Sequence, residues 1–150
     1  MKNDILRIVD ANLNRSAEGL RVCEDISRFL LEDPSLTRRL KAARHKINDT
    51  CTYASRRKLH ESRDSGRDIG KEYSRIESGR SDSVDVFTAN LQRVKESLRV
   101  LEEISKLFAG EQPARFKALR FKMYDIEKTA SGKLVSFRGR NTLPAKRKRR

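Results

Sequence analysis

Ala11–Leu30, ANLNRSAEGLRVCEDISRFL, and Ala89–Phe108, ANLQRVKESLRVLEEISKLF, decide the fold: eleven of twenty positions are identical at a constant offset of 78. The ANLxR start, Glu18/Glu96, the LRV triplets, Glu24/Glu102 and the Ile-Ser pairs are all shared. Thr37–Ile47, TRRLKAARHKI, then matches Pro113–Met123, PARFKALRFKM, at an offset of 76, with Arg39, Lys41, Ala42, Arg44 and Lys46 recurring as Arg115, Lys117, Ala118, Arg120 and Lys122. Register and order are both kept, so the chain is an internal duplication. The change of offset predicts a shorter interhelical loop in the second copy.

Each copy reads as helix, turn, helix. At 100° per residue, Ile5, Ile8, Val9, Gly19, Cys23, Ile26 and Leu30 share one face of the first helix, with Arg21, Asp25 and Arg28 opposite. Asp33-Pro34 supplies an N-cap and a first-turn proline for the second helix. Leu98, Leu101, Ile104 and Phe108 continue the stripe in the second copy, Gly110 stops that helix, Pro113 opens the fourth, and Gly132 is expected to end it. The expectation is an all-α chain of four long helices, arranged as two repeated hairpins in a bundle-like body with a long central loop. Residues 1–132 form one helical domain, with repeat one at 4–57, the loop at 58–82 and repeat two at 83–132; residues 133–150 form a basic tail.

Composition narrows the class. The net charge is +14, but residues 133–150 hold eight basic side chains and no acidic one, so the body carries 14 − 8 = +6. A nucleic-acid-binding module is therefore disfavoured: the basic excess concentrates in the tail, and nine aromatics form no evident stacking platform. No apolar run reaches the roughly 18–20 residues of a membrane span, and MKNDILRIVD lacks a leader-type apolar stretch, so a cytoplasmic location and no membrane partner are expected. Cys23 and Cys51 cannot make a disulfide framework or a zinc site, and read as packed free thiols.

Two features carry chemistry. Asn12 falls at the centre of the apolar face of the first helix with Arg15 at its edge, and Asn90 and Arg93 repeat the arrangement. Polar groups on a core-facing stripe must be hydrogen-bonded or bear a desolvation cost. They either bridge helices across the pseudo-twofold axis or line a polar pocket in which Arg15 and Arg93 grip an anion. Glu18 and Glu96, one turn on, are placed to pair with those arginines. The second feature is Arg63–Glu72, RDSGRDIGKE, which gathers acidic oxygens suited to Mg²⁺, cations for phosphate charge and glycines for close backbone approach. It is not a Walker A loop: the glycine spacing is one short and no Ser or Thr follows Lys71. His45 and His60 read as ordinary helix and loop histidines. Arg21, Glu24, Arg99 and Glu102 read as salt-bridged exposed faces.

Together DANLNRSAEGLRVCEDISRF, the central RDSGRDIG and TANLQRVKESLRVLEEISK resemble the helical hydroxymethylpyrimidine-phosphate kinase family of thiamine biosynthesis, over roughly residues 4–130. That domain is often fused ahead of thiamine-phosphate synthase. The resemblance implies transfer of the ATP γ-phosphoryl to hydroxymethylpyrimidine phosphate, with ATP and Mg²⁺ as cofactors. By position it implies catalytic Arg63, Asp64 and Asp68; substrate contacts from Asn12, Arg15, Glu18, Asn90, Arg93 and Glu96; phosphate contacts from Arg15, Arg63, Gly70 and Arg93; and metal ligation by Asp64 and Asp68. Gly19, Arg21, Glu24, Asp25 and Glu102 also match the pattern, whereas Arg67 adds bulk and charge to the loop. A non-catalytic pyrimidine-binding role, a thiamine-phosphate synthase partner and a homodimer are the alternatives that accompany this reading.

Overall fold

The structure is a computed structural model that describes residues 2–71 and 79–141. Every regular element among them is helical: α1 (Lys2–Phe29), α2 (Pro34–Thr50), α3 (Arg56–Glu61), α4 (Ser83–Ser105) and α5 (Gln112–Asn141), with two short 3₁₀ turns, Ser65–Arg67 and Ile69–Lys71. The two expected hairpins are α1–α2 and α4–α5, and the central segment adds α3.

The hairpins meet mainly through α1 and α4, while α2 and α5 make a smaller contact on the other side. The seam has a strict heptad rhythm. Leu6, Val9, Leu13, Ser16, Leu20, Cys23 and Ser27 are all buried on α1, and their repeat mates Val84, Phe87, Leu91, Val94, Leu98, Leu101 and Ser105 are all buried on α4. Steps of three and four residues keep one narrow stripe facing a partner along a long helix. This corrects the stripe read at 100° per residue, because Ile8 and Leu30 are 38% and 45% exposed while Leu6, Leu13 and Leu20 take the core. The outer helices repeat equally well: Leu36, Leu40, Ala43, Ile47 and Thr50 match buried Gln112, Phe116, Leu119, Met123 and Ile126.

Asp33 caps α2 as expected, its carboxylate accepting from Leu36 N at 3.0 Å ahead of Pro34. The loop expectation is reversed. α1 continues to Phe29, whereas α4 stops at Ser105, two residues short of the equivalent point, so the second connection is longer. Gly110 lies in it with φ +123° rather than at the helix end. Gly132 does not end the last helix either, since α5 runs on to Asn141. Leu134 is buried, Phe137 packs against the core, and Arg138 grips Asp82 and Asp85 at the start of α4. Those contacts outweigh the roughly 1 kcal/mol that a helical glycine costs. The first part of the expected basic tail is thus helix; residues 142–150 lie outside the described residues.

A pair of buried acids ties each hairpin together. Glu24 accepts from Arg44 Nε at 2.9 Å across α1–α2, and its mate Glu102 accepts from Arg120 Nε at 3.0 Å across α4–α5. Arg21 and Arg99 add a second partner from the same helices. Both glutamates are 5% exposed, so the repeated LRVxE stretches are inter-helix locks rather than wholly exposed faces. Lys95, also buried, pairs with Glu127 at 2.7 Å in the second hairpin. The thiols behave as packed side chains: Cys23 donates to Phe87 O at 3.4 Å, and burial pushes its pKa up to about 12.

Candidate functional site

α1 and α4 cross closely at Gly19. A Cβ there would meet Val94 Cγ2 at 2.8 Å and Asn90 O at 3.0 Å, so a methyl fits only if its neighbours shift. Beside this crossing lies an open cleft of about 690 Å³ whose walls include Asn12, Arg15 and Glu18 of α1 and Asn90, Arg93 and Glu96 of α4. Every substrate-contact residue expected from the sequence therefore faces one cavity. Asn12 is buried and Asn90 half-buried, while the four charged residues are exposed.

The asparagines do not bridge helices. Asn12 Nδ2 donates to Ile8 O and Asn90 Nδ2 to Val86 O, each at 2.8 Å within its own helix. Anchored so, each amide leaves its oxygen as an acceptor toward the cleft. Among the described residues Arg15 and Glu18 form no ion pair, nor do Arg93 and Glu96; Glu96 accepts instead from Gln92 at 2.9 Å. The cleft's formal charge is zero, with two arginines against two glutamates. An anion held here would be gripped by guanidinium forks rather than drawn by net field.

A second cleft, about 630 Å³, adjoins the first through shared Asn12 and Arg15 and is roofed by the central loop at Arg63, Asp64 and Asp68. Arg63 is held by a residue that the sequence did not single out. Asp10 is 7% exposed and accepts from Arg63 Nε at 2.5 Å and Nη2 at 3.0 Å, leaving Nη1 available. The signal was there: Asp10 precedes ANLNR where Thr88 precedes ANLQR, a departure from the repeat on an otherwise matching arc.

Asp64 folds back onto its own loop, accepting from Arg67 N at 3.3 Å and pairing with Arg67 Nε at 3.1 Å, while its carbonyl accepts from Arg7. Asp68 accepts from Gly70 N at 2.9 Å, which occupies the backbone donor expected to meet phosphate. Glu72 lies outside the described residues. Among the described residues no group of three or more His, Cys, Asp or Glu could hold a metal ion. Mg²⁺ does not need such a cage, since it usually binds one or two carboxylates and completes its shell with water and substrate phosphate. Asp64 and Asp68 supply donors of that kind. The loop cleft contains four aspartates and three arginines, a formal charge of −1. His45 and His60 are exposed, and among the described residues no helix is long and apolar enough to cross a membrane.

Fold and site define a duplicated helical bundle with a polar cleft on its pseudo-twofold axis and an acidic loop beside it. The chain belongs to the ThiD2 family, whose model matches residues 7–129. It is 36% identical over 138 residues to a thiamine-phosphate synthase of Rhodopirellula baltica, covering 91% of this chain and 37% of that protein. It is 39% identical over 133 residues to one of Synechocystis sp., covering 87% of this chain and 38% of the relative. A relative of the same name from Gloeobacter violaceus is 37% identical over 129 residues, covering 85% and 37% of the two chains. The chain thus spans less than two-fifths of these relatives' length. No solved structure matches it.

Proposed function

We propose that the protein acts in thiamine biosynthesis, transferring the γ-phosphoryl group of ATP to hydroxymethylpyrimidine phosphate to give the pyrophosphate. One observation carries this reading: the duplicated polar cleft and the acidic Arg63–Asp68 loop share the wall formed by Asn12 and Arg15. An acceptor in the first cleft therefore lies beside a phosphate held at the second. Membership of the family and the names of the relatives support thiamine biosynthesis as the setting.

The residues divide the work as follows. Arg15 and Arg93 meet the phosphate of the pyrimidine phosphate with paired N–H donors, and the anchored amide oxygens of Asn12 and Asn90 accept from N–H groups of the ligand. Glu18 and Glu96 reject ligands that place negative charge along the whole cleft. Asp64 and Asp68 would hold Mg²⁺, which supplies neutralisation of the ATP phosphates when bound. Arg63, fixed by Asp10, aims Nη1 at charge developing on the transferred group. A phosphate oxygen of the acceptor forms the new bond to the γ-phosphorus as its bond to the bridging oxygen breaks, and ADP leaves. That oxygen is already anionic, so no strong base is required; positioning and electrostatics suffice.

Product formation from Mg-ATP and hydroxymethylpyrimidine phosphate tests the reading. Arg15→Ala and Asp64→Asn should each lower turnover on the order of 10²–10³-fold; normal turnover in both would remove the site assignment, and no product with the native chain would remove the reaction. The name shared by the relatives supports a second reading, in which this domain works against a thiamine-phosphate synthase, and co-purification with that enzyme from the same cell would test it.

A further inference from the structure

A third cavity lies on the far side of the Asp10–Arg63 pair, about 380 Å³, between α1, the end of α2 and α3. We propose that it seats the nucleoside of ATP, with the phosphate chain running over Arg63 into the loop cleft. The proposal rests on the kinase reading above and adds to it the location of the second substrate.

Three observations converge. The cavities form a row along α1: Asp10, Asn14 and Arg63 border both this pocket and the loop cleft, while Asn12 and Arg15 border both the loop cleft and the duplicated cleft. Only the middle chamber shares walls with both others. Transfer in the middle therefore puts the two substrates' bodies at opposite ends. The linings then decide which end is which. Leu13, Ala17 and Leu59 give this pocket apolar surface for a flat heterocycle, and the amides of Asn14 and Asn48 offer donors and acceptors to its edge. Arg56 and Arg63 outnumber Asp10, so this pocket carries formal +1, against zero in the duplicated cleft and −1 at the loop. The positive charge lies toward Arg63, where the phosphate chain leaves this pocket for the loop cleft. Size agrees as well. A volume of 380 Å³ holds a nucleoside but leaves little room for three phosphates, which have the 630 Å³ loop cleft next door.

The pocket contains its own reporter. Cys51 lines it and is half-buried, whereas Cys23 is 0% exposed in the core and reports only unfolding. The experiment measures the rate of Cys51 alkylation by iodoacetamide in the native full-length chain, followed by peptide mass spectrometry. It is run at mildly alkaline pH because burial raises the Cys51 pKa. Mg-ATP at ten times its Kd should slow Cys51 labelling about tenfold, and hydroxymethylpyrimidine phosphate at the same excess should leave it unchanged. Protection by the pyrimidine phosphate and not by ATP would overturn the assignment, as would turnover with no protection by ATP. Protection by ATP without any turnover would keep the nucleotide seat and discard the kinase reading. As a second arm, Ala17→Leu fills the pocket from α1 and should raise KM for ATP about tenfold with KM for the pyrimidine phosphate unchanged; equal rises in both would also overturn it.

Discussion

The same substitution at two glycines should have opposite effects on stability, and the difference isolates the α1–α4 crossing. Gly19 and Gly132 both lie inside long helices, so changing either to alanine gains about 0.8–1.0 kcal/mol of helix propensity. At Gly132 nothing lies within 4 Å of the new methyl, and the gain is realised in full. At Gly19 the methyl would stand 2.8 Å from Val94 Cγ2 and 3.0 Å from a backbone oxygen. Relief needs a shift of roughly half an ångström between helices whose side chains interlock, and overpacking of this kind costs about 1–3 kcal/mol. Gly132→Ala should therefore stabilise by about 1 kcal/mol, and Gly19→Ala should range from neutral to about 2 kcal/mol destabilising. Urea unfolding followed by circular dichroism at 222 nm measures both. Because Gly19 and Asn90 are also walls of the duplicated cleft, Gly19→Ala should weaken binding of the pyrimidine phosphate while Gly132→Ala leaves it alone. Equal stabilisation by the two variants would refute the close crossing, and with it the placement of the cleft on the pseudo-twofold axis.

Other consequences follow from single contacts. Glu102→Ala takes the carboxylate from Arg120, whose side chain is 14% exposed and keeps only a 3.3 Å bond to Tyr124, and should cost about 3 kcal/mol; Glu24→Ala should cost somewhat less because Arg44 is 21% exposed. Thermal melts of the two single variants check the ranking; a larger loss for Glu24→Ala would refute the exposure argument. Arg67→Ala frees Asp64 from a partner that is 88% exposed and weakly held, so the Mg²⁺ concentration for half-maximal turnover should fall by about two- to fivefold. The Asp33 carboxyl is held below its ordinary 3.8, first by the Leu36 N–H and then by Lys133. Its contribution is present above pH 4 and lost as the pH falls through the lowered value, so Asp33→Ala should cost about 1 kcal/mol at pH 7 and progressively less below pH 4, read from melts at each pH. Truncation after Gly132 removes Leu134 and Arg138 from the body and should lower the melting temperature, whereas truncation after Asn141 leaves those contacts intact and is the proper test of the basic end.

Legibility in the sequence followed the range of the interaction. The hairpins, the Asp33 cap and the grouping of Asn12, Arg15, Glu18, Asn90, Arg93 and Glu96 follow from periodicity and repetition, because a side chain's face on a helix is a local property. Gly132 misled for the opposite reason: its propensity argues for a stop, but burial of Leu134 and pairing of Arg138 with Asp82 and Asp85 come from residues some fifty positions away. The buried state of Glu24 was also legible in principle. A carboxylate is seldom buried without a partner, and the recurrence of Arg44 as Arg120 beside the recurrence of Glu24 as Glu102 identified that partner. The bond between Asp10 and Arg63 spans 53 positions, and no periodicity reports it.

Duplication alone would give this molecule two equivalent ends to its central cleft, and the proposed phosphoryl donor would approach from only one. Asp10 resolves the choice. It sits where the second repeat has Thr88, and as a buried acid facing the central segment it fixes Arg63 over α1. The loop carrying Asp64 and Asp68 thereby closes on the Asn12–Arg15 end, whereas Thr88 at the equivalent position of the Asn90–Arg93 end carries no charge. Asp10→Asn should accordingly lower turnover through loss of Arg63 orientation while leaving affinity for the pyrimidine phosphate unchanged. Its effect should be largely absorbed in Arg63→Ala, so that the double variant is little worse than the worse single. Fully additive losses would mean that Asp10 acts by some route other than Arg63, and the asymmetry would then need a different origin.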